Sequence, residues 1–184
     1  REYRGNEYGY GSDPRLLTQQ GFEEHLANDD LADSVVMIQC VVPGEKFCSR
    51  VCCTVALKNA VELKNRKPEA QVIVLYRDIR VYGFKERLYT IAREKGVIFI
   101  RYDDDTRPEI NANGDLTVRV HDPVLRREMT LNPGLLVLSM PVVPHDDVHD
   151  LANIFKANID ADGFFLEAHV KLRPVDFSTD GLFM

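Results

Sequence analysis

Ser34-Val-Val-Met-Ile-Gln-Cys40 is the stretch on which the fold turns. Its near-continuous apolar run is the pattern of a strand covered on both faces, as strands of parallel sheets are. A loop follows, with Val42-Pro43-Gly44 as its turn signal. Residues 49–66 then carry Val51, Val55, Ala56, Ala60 and Leu63 at the spacing of one helix face. Lys64, Arg66 and Lys67 complement the dipole at its end, and Pro68 stops it. Gln71-Val-Ile-Val-Leu-Tyr76 is a second buried strand, residues 83–95 a second helix closed by Gly96, and Val97-Ile-Phe-Ile-Arg101 a third strand. Strand, helix, strand, helix, strand in that order predicts right-handed crossovers and a parallel sheet.

Outward from this centre the pattern changes. Leu116 to His121 and the stretch around Met129 to Leu131 alternate, with turn signals at Asn113-Gly114 and Asp122-Pro123. They predict an antiparallel excursion laid on the edge of the sheet. Leu135 to Ser139 returns as a buried strand, and Asp147 to Phe155 reads as a short helix. The expected fold class is therefore α/β, a Rossmann-like three-layer domain with a central parallel sheet and an antiparallel β excursion. Residues 1–32 read as a linker or arm with a short helix through Leu16, Phe22 and Leu26, interrupted by Gly21. Residues 33–144 form the Rossmann-like domain. Residues 145–184 read as a helix and a truncated run of strands and turns belonging partly to another domain.

The chain has 184 residues and a net charge of −6, so it lacks the basic balance of a typical nucleic-acid binder. It has no apolar run of the ~18 residues that suggest a membrane span. The start lacks Met and an apolar stretch, so the chain reads as an excised piece without a signal peptide.

The four cysteines all lie between positions 40 and 53, as C-x7-C-x3-C-C. Secreted disulfide domains usually spread their cysteines; crowding in one loop favours a metal or redox site in a reducing cytoplasm. A dinucleotide-binding unit carries G-x-G-x-x-G at this turn, so that bare backbone approaches the pyrophosphate. Only Gly44 is a glycine here, so no tight pyridine-nucleotide binding is expected. Cys40 ends the first strand, and Cys48 is placed near the start of the helix, with Cys52 one turn later beside Cys53. A strand end and a helix start meet at one edge of such a sheet, so the four can converge. The helix's free N–H groups would favour an anionic [4Fe–4S] centre with four thiolates. Three other readings stand beside it: structural zinc, for which adjacent cysteines are unusual; a redox or disulfide thiol site; and buried, inert cysteines.

Ile38-Gln-Cys40 and Phe47-Cys48-Ser-Arg-Val-Cys52-Cys53-Thr-Val-Ala-Leu-Lys-Asn-Ala60 resemble the heterodisulfide reductase A-subunit family, the part of that enzyme carrying flavin and iron–sulfur groups. So do Glu7-Tyr-Gly-Tyr-Gly11, Val74-Leu-Tyr-Arg-Asp-Ile-Arg80, Val97-Ile-Phe-Ile-Arg-Tyr102 and Gly163-Phe-Phe-Leu-Glu-Ala-His169. The resemblance covers about residues 7–184. It implies the pyridine-nucleotide-domain-like part of a thioredoxin-reductase-type flavoprotein, with Cys40, Cys48, Cys52 and Cys53 as ligands of a [4Fe–4S] cluster beside FAD of the intact subunit. It further implies electron transfer within a complex, with the other subunits and electron-carrier proteins as partners. The piece alone is expected to bind FAD poorly and to be inactive. Val41-Val42-Pro43-Gly44 is shorter than in many members, and Ser139-Met140-Pro141 stands where relatives often have Thr-Gly.

Other candidates carry simpler readings. Arg77 and Arg80 follow the second strand, where NADPH enzymes hold a 2′-phosphate, but a solvated rim or partner contact is the plainer role. Arg50 is either a screen for cluster charge or a surface residue. His145, Asp146, Asp147 and His149 read as an acidic helix start rather than a metal group, Asp103 to Asp105 as an exposed loop, and His169 as exposed or facing the flavin.

Overall fold

The computed structural model describes residues 1–42 and 48–183, in two compact units: residues 4–141, and residues 1–3 with 142–183. Pro43 and Gly44 of the expected turn lie outside the described residues.

The larger unit is built on a five-stranded, all-parallel sheet. Its strands are β1 (Leu16–Thr18), β2 (Ser34–Ile38), β3 (Gln71–Tyr76), β4 (Ile98–Arg101) and a last strand, Leu135–Leu138. Between β1 and β4 run α1 (Gln19–Ala27), α2 (Cys52–Arg66) and α3 (Glu86–Glu94). Three further strands, β5 (Glu109–Asn111), β6 (Thr117–Asp122) and β7 (Arg127–Leu131), precede that last one, β8. The parallel order is β1-β8-β2-β3-β4. This is the expected α/β fold with its parallel sheet.

One sheet face is packed by helices. Phe22 and Leu26 of α1, Ala56, Leu57, Ala60 and Leu63 of α2, and Ala92 of α3 meet Val35, Met37, Val72, Val74 and Val137 in one buried cluster. The alternate strand residues Val36, Ile38, Leu75, Leu136 and Leu138 are buried too, which explains the unbroken apolar runs.

Three expectations are corrected. Leu16 is in a strand, pairing with Leu136, because the segment 16–18 is drawn onto the edge of the sheet beside β8. Gly21 does not interrupt α1: it lies in the first turn, and its N–H donates to the Thr18 cap hydroxyl at 3.2 Å. The antiparallel strands also do not extend the parallel sheet. They form a sheet of their own, β5-β6-β7, to which the unanticipated β5 contributes three residues. Their turns are as read: Asp122 Oδ1 accepts from Val124 N and Leu125 N at 2.8 and 3.0 Å.

The basic end of α2 does more than complement a dipole. Lys64 Nζ donates to Ala70 O at 2.9 Å, Arg66 Nη1 to Leu26 O at 2.5 Å and Lys67 Nζ to Leu31 O at 3.0 Å, tying the helix to the loops on both sides.

The arm before β1 is anchored by an ion pair. Arg15 gives Asp13 a backbone bond of 2.8 Å and side-chain bonds of 3.0 and 2.6 Å, and also reaches Gly114 O at 2.8 Å. These bonds lower the Asp13 carboxyl from an ordinary 3.8 to about 2. A depressed carboxyl adds stability above its unfolded pKa, and that contribution is lost as pH falls through the folded value. An NMR titration of Asp13 is therefore expected to show a midpoint near 2, with Arg15→Ala returning it toward its ordinary value. A midpoint near 4 in the parent chain contradicts this anchor.

In the smaller unit, α4 (Val148–Phe155) ends at Lys156 in a left-handed conformation, φ 51°. Isolated bridges pair Glu2 with Val142, Ile159 with Phe165, His169 with Arg173 and Asp176 with Phe183. The Phe165 and Phe177 rings pack edge to face, 5.6 Å apart. His145 Nδ1 lies 2.7 Å from Asp147 Oδ1 at the helix start, and His149 is exposed. His169 Nδ1 accepts from Lys171 N and Leu172 N at 3.2 Å each, so its ring organises a local turn. No helix among the described residues is long and apolar enough to cross a membrane.

Candidate functional site

In parallel α/β sheets ligands bind outside the carboxyl ends of the strands. Here the register aligns Ile38 with Leu75 on one side and Leu138 on the other. Gln39 N donates to Leu75 O at 2.8 Å and Ser139 N to Ile38 O at 2.9 Å, so the three strands leave the sheet together. All four cysteines line one cavity at that edge, with Arg77, Asp78 and Arg80 following β3 and Ser139 and Pro141 following β8.

The elements deliver the thiols differently. Cys40 sits two residues past β2 with φ 55°, a left-handed conformation that costs an L-residue about 1–2 kcal/mol. Its sulfur lies 3.9 Å from Asp78 O, and that of Cys53 lies 3.8 Å from the same oxygen. Arg80 N donates to Cys53 Sγ at 3.5 Å. Cys53 is buried, while Cys40, Cys48 and Cys52 are half-buried. The helix begins only at Cys52, so Cys48 precedes it instead of occupying its first turn. The reason is local: Arg50 is left-handed at φ 58°, which breaks a helix before Val51, the N-cap.

Val51 supplies no side-chain cap, leaving the first amides of α2 open to an anion. Cys52 opens the helix there, and the polar groups about its sulfur, the Cys53 thiol foremost, hold its thiol down at about 6 against its burial. Cys53 is pushed up by the neighbouring Cys52 and by burial, so it keeps its proton while Cys52 carries the charge. Burial also raises Cys40, opposed by the Asp78 backbone and Arg77.

The basic residues at the cavity are paired. Arg77 Nη1 stands 2.8 Å from both carboxylate oxygens of Asp104, and Arg80 Nε donates to Asp78 Oδ2 at 2.8 Å. Arg50 is exposed and is not a lining residue of the cavity.

The donor chemistry fits a soft metal centre: four thiols, one of them held as a thiolate, at the positive end of a helix. Among the described residues no group of three or more His, Cys, Asp or Glu is gathered as metal ligands. The sulfurs of Cys40 and Cys53 are turned to the Asp78 carbonyl instead.

Sequence reasoning missed the polar residues behind this cavity. Gln19 Nε2 donates to Ser139 Oγ at 3.1 Å, and Asn59 Nδ2 donates to Gln19 Oε1 at 2.9 Å, all three residues being buried. They join α1, α2 and the end of β8 beneath the cysteines. Asn59→Ala is expected to cost about 1–3 kcal/mol, because Gln19 Oε1 then stays buried without a donor. Urea denaturation checks this, and a loss below about 0.5 kcal/mol contradicts it.

Tyr102, Arg107 and Tyr8 were also missed. Tyr102 Oη donates to Gln39 O at 2.5 Å and lies 3.3 Å from Cys40 O. Arg107 Nη2 donates to Val41 O and lies 3.3 Å from Cys40 O and 3.2 Å from Tyr8 Oη. Asp104, expected only as part of an exposed loop, bridges Arg77 to Arg107, whose Nη1 lies 3.3 Å from Asp104 Oδ1. The single legible signal was composition: an acidic run, Asp103 to Asp105, with an arginine two residues further on.

No family model matches the chain. Along 84% of its length it is 38% identical to the A-subunit of the ferredoxin:CoB-CoM heterodisulfide reductase of Methanosarcina acetivorans, of which it spans 20%. Along 96% of its length it is 35% identical to the iron-sulfur A-subunit of the CoB–CoM heterodisulfide reductase of Methanocaldococcus jannaschii, of which it spans 30%. The chain thus spans less than a third of the length of these curated relatives. Among solved structures, the thioredoxin reductase of T. acidophilum matches with a TM-score of 0.60 at 11% identity, covering 100% of this chain and 53% of that one, a likeness of fold.

Proposed function

We propose that this chain, a relative of the heterodisulfide reductase A-subunits over nearly its whole length, is an electron-relay module of such a protein. In this reading Cys40, Cys48, Cys52 and Cys53 hold a [4Fe–4S] cluster, and an FAD bound by the intact subunit lies beside it. One observation carries the reading: all four thiols line a single cavity at the sheet edge where a dinucleotide fold would seat a phosphate. The cluster supplies one-electron redox chemistry.

The chain's own residues set the conditions for it. Cys52 is already anionic near neutral pH at the start of α2, so one ligand needs no deprotonation. The Arg80 amide bonds the Cys53 sulfur, the kind of contact that tunes a cluster's potential. Arg77 and Arg80 place positive charge at the wall, each balanced by an aspartate, so their guanidiniums stay fixed. Pro141 and Val41 exclude water from part of the cavity wall. The partners in this reading are the other subunits of a heterodisulfide-reductase-like complex and electron-carrier proteins.

The turning of Cys40 and Cys53 toward Asp78 favours a second reading, a metal-free or zinc-binding docking domain. Anaerobic reconstitution with iron and sulfide separates the two. The electron-relay reading expects a brown chain whose broad visible absorbance bleaches on reduction with dithionite. A colourless chain that binds zinc with one-to-one stoichiometry, or binds nothing, sinks it.

A further inference from the structure

The three carbonyls that follow β2 are not left to the sheet. Gln39 O is taken by Tyr102, Cys40 O is approached by both Tyr102 and Arg107, and Val41 O is taken by Arg107. Arg107 comes from a segment 67 residues beyond Cys40. It is itself held on two sides, by Asp104 through Nη1 and by Tyr8 through Nη2, with its charge 5.8 Å from the centre of the Tyr8 ring. Its side chain is only 21% exposed. In a planar guanidinium the two Nη2 hydrogens can face the successive carbonyls while Nη1 faces Asp104; the three donors of an ammonium radiate from one atom and do not reproduce that fork. The residue between those carbonyls is Cys40, in a conformation that L-residues avoid unless the surroundings impose it.

We propose that Arg107 is a positioning residue for Cys40: its guanidinium fixes the Cys40–Val41 peptides so that the left-handed turn holds and the thiol stands at the cavity wall. Asp104 extends the device to Arg77, another lining residue of the cavity, since it binds Arg107 and Arg77 at once. The inference rests on the reading of the cysteines as ligands, and adds a residue that touches neither the cysteine sulfurs nor any bound group.

The test uses the whole chain with Arg107→Lys, which keeps the charge and loses the fork, and Arg107→Gln, which loses both. In the metal-free protein, the alkylation of each cysteine is followed by mass spectrometry. Losing the fork that holds the two carbonyls is expected to make Cys40 react about tenfold faster in both variants, with Cys48 unchanged. After anaerobic reconstitution, both variants are expected to hold well under half the iron of the parent and to show a shifted EPR line shape on reduction. A mere fold defect instead speeds all four cysteines together and lowers the melting temperature without changing the line shape of the cluster that does form. Parent-like Cys40 reactivity in Arg107→Lys overturns the proposal. A parent chain that takes up no iron overturns the reading of the cysteines as ligands, while the alkylation pattern still decides the role of Arg107.

Discussion

A Cys52→Ser chain is expected to lose most of its capacity for iron and sulfide, more completely than any single change of a non-cysteine residue. The cause lies at the helix start. Val51 leaves α2 without a side-chain cap, and the Cys52 sulfur stands at that helix start beside the Cys53 thiol. This lowers the thiol to about 6, so Cys52 enters neutral solution as an anion. A serine hydroxyl has nearly the same shape and accepts hydrogen bonds, but it does not ionise there and is a poor ligand for soft iron. The substitution therefore spares the fold and removes the ligand charge. Far-UV circular dichroism should be unchanged while iron content collapses. Parent-like iron uptake by Cys52→Ser contradicts the ligand assignment.

The second large effect is on stability. Leu57 is fully buried on α2, one turn beyond Cys53, within the cluster that packs the helices on the sheet. Leu57→Ala removes its contacts and leaves a cavity the surrounding strands cannot fill, a cost of about 2–5 kcal/mol. That is a large share of the ~5–15 kcal/mol of a typical domain. Because Leu57 and Cys53 share a helix face, loosening this turn also loosens the thiol pair. Val51→Ala, by contrast, trims a residue 45% exposed and should cost less than about 0.5 kcal/mol. Urea unfolding of the two variants checks the difference; equal midpoints contradict the packing described for α2.

The parallel sheet was legible because its inner strands, β2, β3 and β8, are buried on both faces. β3 was readable to the residue, Gln71 to Tyr76, and α2 ended where Pro68 and its basic turn said it would. The short strands were not legible. β1 and β5 have three residues each, too few for any period to show, and Leu16 reads equally well as one side of a helix until it is seen beside Leu136. At the site, the sequence placed the four thiols at one sheet edge, where they line a single cavity, since strand end and helix start are topological facts. It misplaced Cys48 because the left-handed Arg50 carries no sequence signal; arginine is not a residue one expects there. The supports of the site were invisible for a different reason. Gln19, Asn59 and Ser139, and likewise Arg107 with Cys40, meet across 40 to 120 residues of chain, and no local pattern encodes such pairings.

Whether these thiols hold an iron–sulfur cluster is decided by the metal and acid-labile sulfide content of the anaerobically reconstituted chain. Four cysteine ligands around one cubane predict about four irons and four sulfides per chain, with an EPR signal on reduction. One zinc per chain and no sulfide, or no bound metal at all, contradicts it.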